Sequence, residues 1–419
     1  MLRLPISAMF LVLLLTCFCL SSVSVRSVKS FSETIIVPDD YPTIQEAIDR
    51  ANEGDTVFVK SGLYVQSLFI NKAITLLGEN RTNTIIEGQQ YVWDVIAVDS
   101  DNVTISGFTI RGGGNGILAY SSNCLFYDNI LTGNDGGIFL DGRLSYHVEN
   151  NTIMNNIIAN NRDAGIVGQS VTGNNILFNT VEVNRHFGIV FFAGACLNLV
   201  KQNEIMNNED TGVAFFMGAS ENVLEHNNVS GNGWNTPEPV FCAGVALGVM
   251  SHLNTVANNN IWNNKIGFYQ WARADGNTIY HNSVFNNLVQ VYDDPINPCS
   301  NIWNGSYSSG GNYWSDYSGV DKKSGPYQNL TGTDGIGDTP YVIDGSNIDH
   351  YPLMRPYVFV LGDLNNDDKV NMIDIGIAAS AFGSFPGYLR WNPEVDINKD
   401  GIIDLRDIAI VARNFRMPV

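Results

Sequence analysis

A glycine followed by an apolar residue returns along the middle of this chain: NGILAY at Gly116, NDGGIFL at Gly137, RDAGIVG at Gly165, RHFGIVF at Gly188, EDTGVAF at Gly212, FCAGVAL at Gly244 and NKIGFYQ at Gly267. The spacing is 21 to 32 residues, mostly near 23, which is the period of a solenoid. Between the glycines, phrases such as DNILTGN, NNILFNTVEVN and NNNIWNN break short Ile, Val, Leu and Phe runs with Asn and Gly. Those runs have strand length and turn residues at their ends, and none holds a 3.6-residue period long enough for a helix. A coil of three short strands fills such a period, each coil stacking about 4.8 Å above the last. The expectation is a mainly β fold, a right-handed parallel β-helix of roughly ten coils. Its apolar residues point inward. Its asparagines sit at the turns, where they tolerate left-handed φ and hydrogen-bond along a ladder.

An open coil end would expose the core, and the sequence supplies a lid. Thr43 to Ala51 reads as a helix with Ile44, Ala47, Ile48 and Ala51 on one face and Gly54 as its stop, an N-terminal cap for the solenoid. Charge narrows the partners. Asp plus Glu outnumber Lys plus Arg by 42 to 23, for a net charge of -19, which excludes nucleic acid. The first residues, MLRLPISAMFLVLLLTCFCLSSVSV, combine Arg3, an apolar run from Ala8 to Leu20 and the small residues Ser22-Val23-Ser24. They predict a secretory signal peptide over 1–24, hence export and no membrane span after cleavage. An uncleaved anchor is the rival, though the run is short for a span. Cys124, Cys196, Cys242 and Cys299 are too few and scattered for a disulfide framework. Six sequons, at Asn80, Asn102, Asn150, Asn228, Asn304 and Asn329, are candidate glycosylation sites.

After Pro356 the texture changes. GDLNNDDKVNMIDIGIAASAFG and VDINKDGIIDLRDIAIVARNF are two copies of one unit, with Asp363 and Asp396 33 positions apart. Oxygen donors at places 1, 3, 5, 9 and 12, with a main-chain carbonyl at 7, suit Ca²⁺. The first loop offers Asp363, Asn365, Asp367, the Lys369 carbonyl, Asn371 and Asp374; the second offers Asp396, Asn398, Asp400, the Ile402 carbonyl, Asp404 and Asp407. Each loop runs into an apolar helix, and none precedes it. In the first copy Asp368 replaces the loop glycine. Asp at place 12 and the missing first helix make residues 360–416 resemble a type I dockerin, a small α, EF-hand-like domain. The resemblance implies two calcium sites and a cohesin-like or other surface partner. At loop places ten and eleven stand Met372-Ile373 and Leu405-Arg406 rather than small hydroxylated residues, so partner choice does not transfer.

The two ends of the solenoid carry a second resemblance. P-x-x-Y-P-T-I-Q-E-A-I-D from Pro38, G-D-T-V-F-V from Gly54 and I-T-L-L-G-E from Ile74, with GNYWSDYSGVD from Gly311 and DGIGDTPYVIDGSNIDHYPLMRP over 334–356, resemble NosD-like right-handed β-helix proteins. Some members of that family are periplasmic proteins implicated in copper supply; many others are grouped with carbohydrate-binding or sugar-hydrolysing β-helices. The boundaries then read as signal 1–24, β-helix with its cap 31–304, closing tail 305–357 and calcium-binding domain 358–419.

The register predicts where chemistry sits. Two places before successive landmark glycines lie Asp135, Asp163, His186, Asp210, Cys242 and Lys265, and three places before lie Arg162, Arg185 and Glu209. Stacked coils make these a polar ladder. Asp163, Arg185, His186 and Asp210, with Trp271 as an aromatic platform, are the candidate polysaccharide site. The alternative is paired, solvated turn charges. The Phe191/Phe192 and Phe215/Phe216 pairs read as core stack and wall. Hydrolase or lyase chemistry lacks a signature: the paired-Asp, GHG and R-I-K sets of polygalacturonases are absent, and Asp294-Pro295 is followed by Ile296, not the His of mannuronan epimerases. His186, Asp210 and Cys242 in one column are the candidate ligands for copper. The leading expectation is an exported cell-surface protein that binds or processes polysaccharide and docks through a calcium module; a non-enzymatic, copper-handling or structural protein is the alternative.

Overall fold

The computed structural model describes residues 32–89, 94–143, 148–235, 242–307, 309–357, 362–365, 369–398 and 401–415. The signal segment, Asp367, Asp368 and Asp400 lie outside the described residues. The chain winds into a parallel β-solenoid with three sheets. Sheet A has 11 strands from Thr34–Val37 to Thr278–Tyr280, sheet B 11 from Gly62–Val65 to Tyr313–Trp314, and sheet C 10 from Leu68–Ile70 to Val289–Asp293. Every strand in these sheets pairs in parallel with its counterpart in the next coil; Ile166 of sheet C, for example, sits against Ile138 below and Ile189 above.

The landmark glycines earn their place through closeness rather than unusual φ. A Cβ on Gly188 would stand 2.6 Å from the Gly212 carbonyl oxygen and 2.8 Å from the Asn208 amide; Gly165 and Gly212 meet the same two walls, and Gly137 meets the Gly165 carbonyl and Ile158. No side chain fits between coils at that column. Inward positions alternate with outward ones. Ile138, Leu140, Ile166, Ile189, Phe191, Val213 and Phe215 are buried, and the Phe191 and Phe215 rings stack at 6.0 Å inside the core.

Asparagine ladders run up all three corners. Asn129, Asn156, Asn179, Asn203, Asn227, Asn259, Asn282 and Asn312 join sheet A to sheet B, and from Asn156 onward each side-chain oxygen accepts from the main-chain and side-chain amides of the asparagine one coil below. Parallel ladders through Asn161–Asn184–Asn208 and Asn174–Asn198–Asn222 hold the other two corners. The expected left-handed φ is found at turn asparagines, but on the residue before the ladder one: Asn155 (φ 55) before Asn156 and Asn207 (φ 54) before Asn208, a place that Phe178 (φ 55) takes before Asn179 and Gln202 (φ 54) before Asn203. The ladder asparagine turns its amide inward, and its neighbour makes the bend.

Helix α1, Ile44–Arg50, covers the first coil with Ile44, Ala47 and Ile48 buried, and Thr43 caps it by accepting from Glu46 N–H. At the far end Asn347 and Asp349 stop two ladders. Asn347 takes Asn301 N–H at 3.0 Å and Trp303 Nε1 at 3.0 Å, while Asp349 takes Asn312 N–H at 2.8 Å and Trp314 Nε1 at 2.9 Å. Past the solenoid come helices α2 (Met372–Ala381) and α3 (Leu405–Arg413), packed around Val370, Ala378, Val395, Ile403 and Val411.

Candidate functional site

Outward positions of a sheet are normally polar, but sheet C breaks that rule. Its outward column, two residues after each landmark glycine, reads Leu118, Phe139, Val167, Val190, Ala214, Ala246 and Tyr269. Three of these, Phe139, Val167 and Val190, floor a groove of about 880 Å³ that crosses the coils from Asn115 to Met217. Phe187 and Phe216 close its far end, their rings edge to face at 5.6 Å, and Trp271 backs Phe216 at 5.1 Å. Gly248 makes room for that ring: a Cβ there would lie 2.3 Å from the Trp271 indole.

One edge of the groove is the corner where sheet B turns into sheet C. There Asp135, Asp163, His186 and Asp210 line the opening. His186 Nδ1 and Asp210 Oδ2 are 2.7 Å apart, and Arg162 reaches Asp135 at 3.5 Å. The opposite edge carries Gln169, Phe192 and Arg143. Arg143 makes two hydrogen bonds to Asp141, at 2.9 and 2.8 Å, and its guanidinium lies 5.6 Å from the Phe139 ring centre. Burial pushes the Asp141 carboxyl up, but the Arg143 bonds outweigh it and hold the group below the usual carboxylate range.

Asp163, His186 and Asp210 therefore share the groove. Arg185, from the same ladder, is exposed and does not line it. Trp271 is half-buried in the aromatic cluster behind the groove's end wall rather than presented as a platform. Phe139, Arg143, Gln169 and Phe187 went unread in the sequence. The apolar column two places after the glycines was the signal for the first, because the alternation of a strand assigns it to the outside.

The copper candidates can be tested against this geometry. His186 and Asp210 meet, whereas Cys242 is buried in the apolar cluster, where desolvation pushes its thiol up. Among the described residues no three His, Cys, Asp or Glu side chains converge as a metal cluster. Of the three candidates, His186 and Asp210 line the groove and Cys242 does not.

In the C-terminal loops the places read as calcium donors also organise the helices. Asn371 and Asp404 are the N-caps of α2 and α3, and Asp374 and Asp407 complete a capping box in each. Asp374 accepts Leu364 N–H at 2.7 Å and Asn371 N–H at 2.8 Å; Asp396 accepts Gly401 N–H at 2.8 Å. Asp363, Asp374, Asp396 and Asp407 are all buried.

A family profile described as "Periplasmic copper-binding protein (NosD)" matches residues 48–238 and 243–319. The cell surface glycoprotein of Methanothermus fervidus is 28% identical over 317 residues, 66% of this chain and 51% of that protein; the chain thus spans about half the length of that curated relative. Cellulosomal-scaffolding protein B of Acetivibrio thermocellus is 32% identical over 60 residues, 14% of this chain and 8% of its own. Among solved structures, the A-module of Azotobacter vinelandii mannuronan C-5 epimerase AlgE4 superposes with a TM-score of 0.53 at 16% identity, covering 64% of this chain and 86% of the module. That likeness is one of fold.

Proposed function

This chain belongs to the NosD family, and from that premise we propose that it is an exported cell-surface protein whose solenoid binds polysaccharide in the sheet C groove. The observation that carries the reading is the apolar outward column edged by Asp163, His186 and Asp210. Sugar rings offer flat C–H faces to aromatic and aliphatic floors and hydroxyls to carboxylate and amide edges, and the groove supplies both. Similarity to a cell surface glycoprotein supports the location. Among the described residues, no helix is long and apolar enough to cross a membrane.

The C-terminal region belongs to the same proposal. Two calcium ions, held by Asp363, Asn365, Asp367, the Lys369 carbonyl, Asn371 and Asp374 and by Asp396, Asn398, Asp400, the Ile402 carbonyl, Asp404 and Asp407, would consolidate a dockerin-like module over 358–419. Its partner would be a cohesin-like or other surface protein, a reading supported by the short match to a cellulosomal scaffold. A hydrolytic or lyase activity is the second reading, favoured by the His186–Asp210 hydrogen bond beside Asp163.

A glycan array probed with the full chain tests the proposal. Binding to at least one polysaccharide is expected, and Val190→Asp, which puts a charge on the floor, should lower it at least tenfold, about 1.4 kcal/mol. Absence of binding to every glycan, by the wild type as well as the variant, would sink it. Release of reducing or unsaturated sugar ends from the bound polymer decides for catalysis; persistent binding without release decides for a binding protein.

A further inference from the structure

We infer that the groove takes an uncharged glycan chain lying along the solenoid axis, roughly one sugar per coil, and that its acidic edge rejects polyuronates. This rests on the glycan reading of the groove and adds the ligand's charge, direction and length.

Direction follows from the repeat. The groove's floor residues Phe139, Val167 and Val190 are stacked strand partners on successive coils, so the apolar strip runs parallel to the axis. The groove runs from the coil of Asn115 to the coil of Asp210 and Met217, four coil steps or about 19 Å at the spacing of paired strands, with the strip in its middle. A hexopyranose unit in an extended chain advances by nearly one such step. A chain along the axis therefore meets the same floor and edge at each sugar, whereas a chain across it would leave the floor after one. Phe216, backed by Trp271, blocks one end of the strip.

Charge follows from the two edges. Asp135, Asp163, His186 and Asp210 stand one per coil along one side, Asp135 paired with Arg162 and Asp210 with His186. The cation on the other side, Arg143, is committed to Asp141, and Arg162 to Asp135. A polyuronate would bring one carboxylate per sugar to an edge where three aspartates face one histidine and the lining arginine already holds Asp141, inside a chain of net charge -19. An uncharged chain meets no such repulsion, and its hydroxyls donate to the same carboxylates.

Titration of the full chain by calorimetry, with neutral manno- and gluco-oligosaccharides of two to eight units and with oligomannuronates and oligogalacturonates of matched length, tests this. Affinity for a neutral series should climb with length and level off at about four or five units. Matched uronates should bind at least tenfold more weakly at low salt, a gap that 0.5 M NaCl narrows. Asp135→Asn with Asp163→Asn should narrow it at least threefold. Uronate binding equal to or tighter than neutral binding, with or without added Ca²⁺, overturns the charge inference while leaving the glycan reading standing. A plateau at two units overturns the axial placement. Silence from both series overturns this inference, and silence on the glycan array as well removes the glycan reading itself.

Discussion

Asp349 shows how one residue closes a repeat. A ladder asparagine accepts from the coil below with its oxygen and donates onward with its amide; the last one has nothing above to receive that donor. Asp349 solves this by accepting only: Asn312 N–H and Trp314 Nε1 on one oxygen and Tyr351 N–H on the other. The cost is a carboxyl with no exposure to water, and burial pushes its pKa up to about 6. The folded state therefore holds the proton more tightly than the unfolded chain, whose aspartates titrate near 3.9. The stability this contributes is complete below about pH 3.9 and is lost as pH rises through about 6. Asp349→Asn cannot titrate. Between pH 4 and pH 7 its thermal midpoint should climb relative to wild type, by the equivalent of ~2–3 kcal/mol at full loss. Scanning calorimetry at half-unit pH steps gives the answer, and a midpoint difference that stays constant with pH contradicts it. Asp293, also pushed to about 6 by burial, titrates in both proteins and so largely drops out of the comparison.

At the scale of the element, the coil corner is the unit that repeats. Asn203 sits in the middle of its ladder: its oxygen takes Asn179 N–H at 2.8 Å and Asn179 Nδ2 at 3.0 Å, and its amide gives to Ile176 O and Asn227 Oδ1. Asn203→Ala removes the acceptor of the Asn179 main-chain and side-chain amides and the donor to Ile176 O, Lys201 O and Asn227 Oδ1, and each buried group left without a partner costs ~1–3 kcal/mol. A loss of ~2–4 kcal/mol is expected in urea unfolding once partial relaxation is allowed for; a change below ~0.5 kcal/mol would show that the ladder is ornamental. Much of this element was legible beforehand. The Gly period gave the coil, and the face of Ile44, Ala47 and Ile48 gave the cap. What was not legible was the division of labour at each corner, because Asn155-Asn156 and Asn207-Asn208 place the same residue type at the bend and on the ladder. The site divides the same way. Register alone put Asp163, His186 and Asp210 in one column, and they do share an edge. The lean of a side chain is set by its neighbours, so Arg185 turns out to solvent and Trp271 falls over Gly248, neither of which a one-dimensional spacing encodes.

The whole molecule joins its two parts on sheet A, a different face from the groove. Met154, Leu177 and Phe178 point outward there, and Trp391 packs on them. Beside this contact Lys201 is 5% exposed, with Glu225 at 3.0 Å on the solenoid and Glu394 at 2.5 Å on the C-terminal region. Burial alone would lower the lysine's pKa, but the two carboxylates outweigh it and raise it. That contribution is present below the unfolded lysine's pKa near 10.4 and lost only above it, so the joint is fully charged at neutral pH. Asp363 and Asp396, the first residues of both candidate calcium loops, line the cavity between the two parts together with His226 and Asn228. Loop order and joint order are therefore coupled. Removing one member of a buried ion pair is expensive, ~3–5 kcal/mol when the charge left behind stays buried, though Glu225 remains here to soften it. Glu394→Ala should thus loosen the joint without touching the groove, and a chelator should do the same to the wild type by disordering the loops. Limited proteolysis of the full chain, followed by mass spectrometry of cleavage between the solenoid and the C-terminal region, reads both. Cleavage should be at least fivefold faster for Glu394→Ala in calcium and for wild type in chelator, with the variant in chelator fastest. Equal rates with and without chelator would remove calcium from the C-terminal loops, and an unchanged rate in Glu394→Ala would mean that Lys201 and Glu225 suffice and that Trp391 alone anchors the contact.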